Sequence, residues 1–308
     1  MSLKSKDLLG MKELDATEID EILATAQTMK MVLDANSKKT SHLQGRSVIT
    51  LFYENSTRTR LSFELASKYM GASSANIATS GSSVNKGESL LDTARTIDMM
   101  ATDILIMRHN QSGAPHFIAP HLRASIVNAG DGMNEHPTQA LLDMFTMQSH
   151  FGQLKNLKVA ICGDIYHSRV ARSNAIGLSK MGAHVTMFGP STMMPPGMEK
   201  LGCKIASSID ETVDGADVVM GLRVQLERQS KSLFPSVAEY ARFFSISPDV
   251  LKRAKDTAIV LHPGPCNHGV ELPTVVYDGA QSLINEQVKN GVAIRMAILY
   301  MLMARRNQ

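Results

Sequence analysis

Residues 47–71 read SVITLFYENSTRTRLSFELASKYMG. Ser47–Tyr53 is rich in β-branched and aromatic residues and reads as a strand. Then the period changes. Leu61, Leu65 and Tyr69 recur every four positions, which predicts a helix from about Thr57 to Met70 with Gly71 as its stop. A strand running through a short polar turn into a helix is the repeating unit of an α/β fold. The same style recurs along the chain. Thr102–Met107, ending at Arg108, and Ala124–Asn128 read as strands, and a helix opens at Pro137. Further on, Leu157–Cys162 reads as a strand followed by a helix to about Lys180, and Ala183–Phe188, Ala216–Gly221 and Ala258–Leu261 read as strands. The fold expected is α/β with two domains, each a mainly parallel sheet flanked by helices. At roughly 100–200 residues per domain, 308 residues suit two. The boundaries expected are residues 1–133 with 292–308 returning to the first domain, a connecting helix at 134–150, and a second domain at 151–291.

Composition excludes several classes. Hydrophobic residues make up 44% and charged residues 20%, so the chain is not a disordered one. Net charge is +3, which leaves no basic excess for gripping a nucleic-acid backbone. Val292–Ala304, the longest apolar candidate, is interrupted by Arg295 and reads as a buried C-terminal helix, so no membrane span is expected. Cys162, Cys203 and Cys266 stand far apart with no C-x-x-C pair, which argues against a zinc site and a disulfide framework. Reduced thiols and an opening segment without the apolar stretch of a signal peptide point to a cytoplasmic protein.

The chemistry concentrates where strands end. Ser56-Thr57-Arg58-Thr59-Arg60 opens a helix, and arginines there are unfavourable unless an anion neutralises them. Hydroxyls, guanidiniums and unpaired amides together make a phosphate cradle. The plainer reading is Ser56 as a simple cap with solvated arginines. His136-Pro137-Thr138-Gln139 opens another helix; a neutral imidazole there donates to a carbonyl without carrying charge, or merely caps. Gly163-Asp164-Ile165-Tyr166-His167-Ser168-Arg169 occupies the place of a dinucleotide loop but lacks G-x-G-x-x-G, which disfavours a nucleotide-binding oxidoreductase. Arg169 suits a carboxylate ligand, or an ion pair with Asp164. Arg108 and Arg223-Val224-Gln225 follow strands at the edge where open α/β sheets bind ligands. His262-Pro263-Gly264-Pro265 is a stiff turn whose carbonyls can accept from an amide NH₂. Ser82 and Lys86 lie in a polar, glycine-containing stretch that reads as a loop.

In this order these segments resemble the transcarbamoylase family, over essentially the whole chain. The resemblance is to the branch that accepts aspartate. Ornithine-accepting members share the first two segments but typically carry H-C-L-P and an acidic residue for a cationic amine, where this chain has His262-Pro263-Gly264-Pro265 and Arg223-Val224-Gln225. The resemblance implies an active site in the interdomain cleft, a homotrimer or multiple of trimers, and transfer of the carbamoyl group of carbamoyl phosphate to L-aspartate in pyrimidine biosynthesis. Regulatory or pathway-enzyme subunits are a further class of partner for such chains. Ser56, Thr57, Arg58 and Thr59 would bind phosphate; Thr59, Arg108 and His136 the carbonyl oxygen; Gln139 and the carbonyls of Pro263 and Gly264 the amide. Arg58, Thr59, Arg108 and His136 form the catalytic set. Arg169, Arg223 and Gln225 would hold aspartate, and Ser82 and Lys86 would enter the neighbouring subunit's site. Two positions depart from other members, Gly264 for leucine and Val170 for threonine. No cofactor, metal or covalent intermediate is implied. Charge counting agrees: Arg58, Lys86, Arg108, Arg169 and Arg223 face roughly four negative charges on the two substrates.

Overall fold

The computed structural model describes residues 2–78, 87–225 and 236–306. The chain divides into two compact units: Met1–Phe145 with Val288–Gln308, and Thr146–Gln287. In chain order the first holds α1 (Ala16–Asp34), β1 (Ser47–Phe52), α2 (Thr57–Tyr69), β2 (Ser73–Ala78), α3 (Leu90–Met99), β3 (Ile104–His109), α4 (Ala114–Ile118) and β4 (Ser125–Asp131). Helix α5 (Pro137–Phe151) carries the chain out. The second holds β5 (Lys158–Cys162), α6 (Arg169–Lys180), β6 (His184–Phe188), β7 (Cys203–Ile205), α7 (Ile209–Val213), β8 (Val218–Gly221), α8 (Val237–Phe244), α9 (Pro248–Leu251), β9 (Ile259–Leu261) and α10 (Thr274–Tyr277). Helix α11 (Ile284–Arg306) brings the chain back.

Among the described residues the first unit has a sheet in the order β2-β1-β3-β4 and the second one in the order β7-β6-β5-β8-β9. Every pairing in both is parallel. Parallel neighbours need crossovers, and the helices that supply them cover the sheet faces, so central strands are buried on both sides. Strand β3 shows this, with Ile104, Leu105 and Ile106 at 1% exposure or less, and the edge strand β4 is buried as deeply at Ile126 and Val127. Side chains of this kind contribute about 1.5–3 kcal/mol each when fully buried. The second core gathers Ala160, Val219, Val260, Leu272 and Val276 around β5, β8 and β9.

Three expectations are corrected. The four-residue stripe of α2 is not its buried face: Leu61 is 51% exposed, while Phe63, Ala66 and Met70 are at 0%. Spacings of three and four place 59, 63, 66 and 70 on one side, and the polar Thr59, Ser62 and Ser67 within that face hid it. Strands β2 and β7 were not foreseen. Both are edge strands; β2 is mostly small and polar, and β7 spans 3 residues. Helix α11 begins at Ile284 rather than near 292, because its first turns are polar and Val288 is exposed. The helix is buried over Ala293–Leu299 as expected, and Arg295 within it is also buried, at 3% exposure. Among the described residues no helix is long and apolar enough to cross a membrane.

Candidate active site

The start of α2 differs from the other serine-led helix starts among the described residues. Ser89, Ser168, Ser208, Ser236 and Ser247 each cap a helix by accepting from the backbone amide three residues on. Ser56 holds the same position with extended backbone (φ −156°, ψ 99°), yet its side chain makes no capping bond and the first turn holds no acid. Thr57 and Arg58 are exposed, and Thr59 is buried. The end of α2 thus combines unengaged amides, a hydroxyl and a cation.

Arg108 leaves β3 half-buried. Its Nε donates to Glu54 Oε2 at 3.1 Å and its Nη1 to Ala129 O at 3.4 Å, which fixes the guanidinium. Beside it His109 packs on Tyr53, ring centroids 4.6 Å apart, and burial pushes the imidazole below its ordinary range, so it is neutral at pH 7.

His136 and Gln139 stand at the start of α5, 4% and 8% exposed. The turn before them is held by one buried carboxylate. Asp131 accepts from Gly113 N (2.6 Å), Asn128 Nδ2 (2.8 Å), Asn134 Nδ2 (3.0 Å) and Glu135 N (3.1 Å). Glu135 in turn accepts from Met11 N at 2.7 Å. Gly132 has φ +48°, and a Cβ there would sit 2.6 Å from Ser112 N, so only glycine fits. The Nδ1 of His136 lies 3.5 Å from Thr138 Oγ1, and Gln139 Nε2 donates to Asp143 Oδ1 at 2.9 Å.

In the second unit Arg169 is the first residue of α6, 5% exposed, behind the capping Ser168. Asp164 accepts from His167 N at 3.1 Å, faces His167 Nδ1 at 2.9 Å, and accepts from Gln225 N at 3.4 Å. Gln225 Nε2 donates to His167 O at 3.2 Å, so the segments carrying Arg169 and Arg223 are tied together. Gly163 has φ +134°, and a Cβ there would lie 2.8 Å from Leu222 O. The glycine at the end of β5 makes room for the backbone leading to Arg223, which is the space a pyrophosphate would need in a dinucleotide loop.

The His262-Pro263-Gly264-Pro265 turn is braced from inside. His262 N donates to Gln287 Oε1 at 2.9 Å, Gly264 N donates to His262 Nδ1 at 2.9 Å, and Asn267 N donates to Glu271 Oε1 at 2.7 Å. Asn267 Nδ2 reaches Val224 O at 3.1 Å, which joins this turn to the Arg223-Val224-Gln225 segment. Ser82 and Lys86 lie outside the described residues.

Among the described residues, His262, Cys266 and Glu271 have ligand atoms within 4.8 Å of one another, close enough to share a metal. Gly264 N donates to His262 Nδ1 at 2.9 Å, and His262 Nε2 stands 3.3 Å from Glu271 Oε1. His262 and Glu271 also brace the turn by accepting from the backbone amides of Gly264 and Asn267. Burial pushes the Cys266 and Cys162 thiols up to about 12 and Cys203 to about 11, so none is a nucleophile at neutral pH.

Sequence reasoning missed Glu54, Asp131, Glu135, Asp143, Asn267 and Glu271. Only Asp143 left a local signal, its four-residue spacing from Gln139 on a helix.

Two family models match the chain: "Aspartate/ornithine carbamoyltransferase, carbamoyl-P binding domain" over residues 6–149, and "Aspartate/ornithine carbamoyltransferase, Asp/Orn binding domain" over residues 155–302. Among curated relatives, the aspartate carbamoyltransferase catalytic subunit of Ruminiclostridium cellulolyticum is 65% identical over 99% of this chain and 97% of its own length. That of Acetivibrio thermocellus is 62% identical over 99% and 98%. Among solved structures, aspartate transcarbamoylase from Trypanosoma cruzi in complex with carbamoyl phosphate and aspartate superposes with a TM-score of 0.88 at 32% identity, covering 97% of each chain.

Proposed function

The chain belongs to the aspartate/ornithine carbamoyltransferase family, and on that premise we propose that it transfers the carbamoyl group of carbamoyl phosphate to the amine of L-aspartate, giving N-carbamoyl-L-aspartate and phosphate. The observation that carries the reading is the start of α2, where Ser56 is withheld from capping and Arg58 faces solvent against the helix dipole. Folding alone gains nothing from that arrangement; a bound phosphate satisfies it.

In this reading Ser56, Thr57, Arg58 and Thr59 hold the phosphate. Thr59, Arg108 and His136 donate to the carbonyl oxygen, and Gln139 with the carbonyls of Pro263 and Gly264 receives the amide. Arg169, Arg223 and Gln225, with Lys86, hold the two carboxylates of aspartate. The neutral amine attacks the carbamoyl carbon, a tetrahedral intermediate forms, and its collapse breaks the bond to phosphate. The protein orients two anions and stabilises the developing oxyanion, at about 2.7–4 kcal/mol per well-placed donor. Arg108 is pre-set for that task by Glu54 and Ala129 O, so little reorganisation accompanies the reaction. The departing phosphate accepts the amine proton, and His136 is the other base within the set.

The same reading makes the chain a cytoplasmic enzyme of pyrimidine biosynthesis, working as a homotrimer with Ser82 and Lys86 serving the neighbouring subunit. The test is turnover of carbamoyl phosphate by the purified chain with aspartate and, separately, with ornithine, alongside native mass. Turnover with aspartate alone is the expected result. Turnover with ornithine alone, or with neither amine, refutes the substrate assignment, and a monomeric mass refutes the trimer.

A further inference from the structure

The amide of Gln139 can face two ways, with its NH₂ or its oxygen toward the substrate, and the structure contains a device that decides between them. Gln139 Nε2 donates to Asp143 Oδ1 at 2.9 Å, one helical turn along α5, with the two residues 8% and 0% exposed. A carboxylate only accepts, so it takes the NH₂ end of the amide and repels the oxygen end. The carbonyl oxygen of Gln139 is thereby turned away from Asp143 and left as an acceptor.

A buried arginine acts on Asp143 electrostatically. Arg295, from α11, is 3% exposed; its Nη1 donates to Gly291 O at 2.8 Å and its guanidinium lies 4.9 Å from the ring centroid of Phe63. Burial pushes the Arg295 guanidinium down to about 10, and the Asp143 carboxylate pulls it back up. A Cβ on Gly291 would sit 2.6 Å from Arg295 Nη1 and 3.2 Å from Leu142, so the guanidinium has little room to leave. A buried carboxylate and a buried cation that act on each other offset part of the cost that either charge would carry alone. Phe63 belongs to α2, so the same guanidinium touches the helix that begins at Ser56.

Resting on the reading that Gln139 meets the carbamoyl amide, we propose that Asp143 is a positioning residue for substrate choice: it fixes Gln139 oxygen-outward, so the site takes acyl phosphates that carry an NH₂ and discriminates against those that carry a methyl group in its place. With the wrong substrate the Gln139 oxygen is left buried and unpaired, which is the strong form of discrimination. Asp143 touches no substrate. Its effect passes through the orientation of one amide.

The experiment compares carbamoyl phosphate with acetyl phosphate, measured as dissociation constants on wild type, Gln139→Ala and Asp143→Asn, with inorganic phosphate as a control ligand. Wild type is expected to prefer carbamoyl phosphate by roughly 10- to 100-fold. The asparagine amide offers both a donor and an acceptor, so Gln139 is free to flip, and Asp143→Asn should lose most of that preference while its affinity for inorganic phosphate stays within about 2-fold. A residue with a merely structural role would move all three ligands together. If Asp143→Asn does not fold, Asp143→Asn with Arg295→Met removes both buried charges, and the same loss of preference is expected. Full preference in a folded Asp143→Asn variant, alone or paired with Arg295→Met, overturns the proposal while leaving Gln139 as the amide's partner. Full preference in Gln139→Ala overturns that assignment and the proposal with it.

Discussion

Replacing Arg58 by Ala should move stability and binding in opposite directions, and this separates a ligand-binding arginine from a decorative one. Arg58 is the second residue of α2, exposed, with no hydrogen bond or ion pair among the described residues. A cation in a first turn opposes the helix dipole by about 0.3–1 kcal/mol. Alanine removes that penalty and adds a few tenths of a kcal/mol of helix propensity. At about 2–4 °C per kcal/mol for a domain of this size, the ligand-free midpoint should rise by at most a few degrees. The bound anion tells the opposite story. A hydrogen bond to a charged group contributes about 1.5–3 kcal/mol, so losing it weakens carbamoyl phosphate by about 10- to 150-fold. Because part of that affinity is between exposed charges, the difference between wild type and variant should shrink as salt rises. Calorimetric titration with carbamoyl phosphate and a melting scan without ligand check both halves. Unchanged affinity, or a midpoint several degrees lower, would refute the reasoning that α2 is built to receive an anion.

Two further outcomes follow from the same structure. Gly163→Ala places a side chain at φ +134° and 2.8 Å from Leu222 O; strain of this kind costs about 1–3 kcal/mol, visible as a lower urea midpoint. The displaced Leu222 backbone should raise KM for aspartate well before phosphate affinity suffers, and a variant within about 0.5 kcal/mol of wild type with normal KM would sink this account. The half-exposed pair of His116 and Glu13, 3.2 Å apart, lifts the His116 pKa above 6.5 and lowers that of Glu13 below 4.5, each chiefly through their mutual hydrogen bond. The histidine's contribution is complete below 6.5 and fades as pH rises through its folded value. The carboxylate's is complete above 4.5 and fades as pH falls through its folded value. Glu13→Gln should therefore cost most between about pH 4.5 and 6.5, by under ~1 kcal/mol given the exposure, and equal losses at about pH 5.5 and 9 would contradict it.

How much was legible in the sequence depended on distance along the chain. Strands β1, β3, β4, β5, β6, β8 and β9 were readable because their composition is dense in β-branched and aliphatic residues. Strands β2 and β7 were not, since β2 is mostly small and polar and β7 spans only 3 residues. The α2 stripe misled because Leu61 projects outward while the polar Thr59 and Ser62 turn in. The candidate segments were visible as unusual residues at strand ends. What holds them was hidden: Glu54 meets Arg108 across 54 positions, and Asn267 meets Val224 across 43, and only folding brings such pairs together.

The second unit is one uninterrupted stretch, while the first is assembled from two pieces that flank it. On a ribosome this fixes an order of events. Thr146–Gln287 has all its own residues before the first unit has received its last helix. Until then Phe63 and Asp143 lack the guanidinium of Arg295, so the nascent first unit carries a buried acid with its cation still unmade. The portion synthesised first is the last to be finished, and a chain stalled before Arg295 should present a folded second unit beside an incomplete first one.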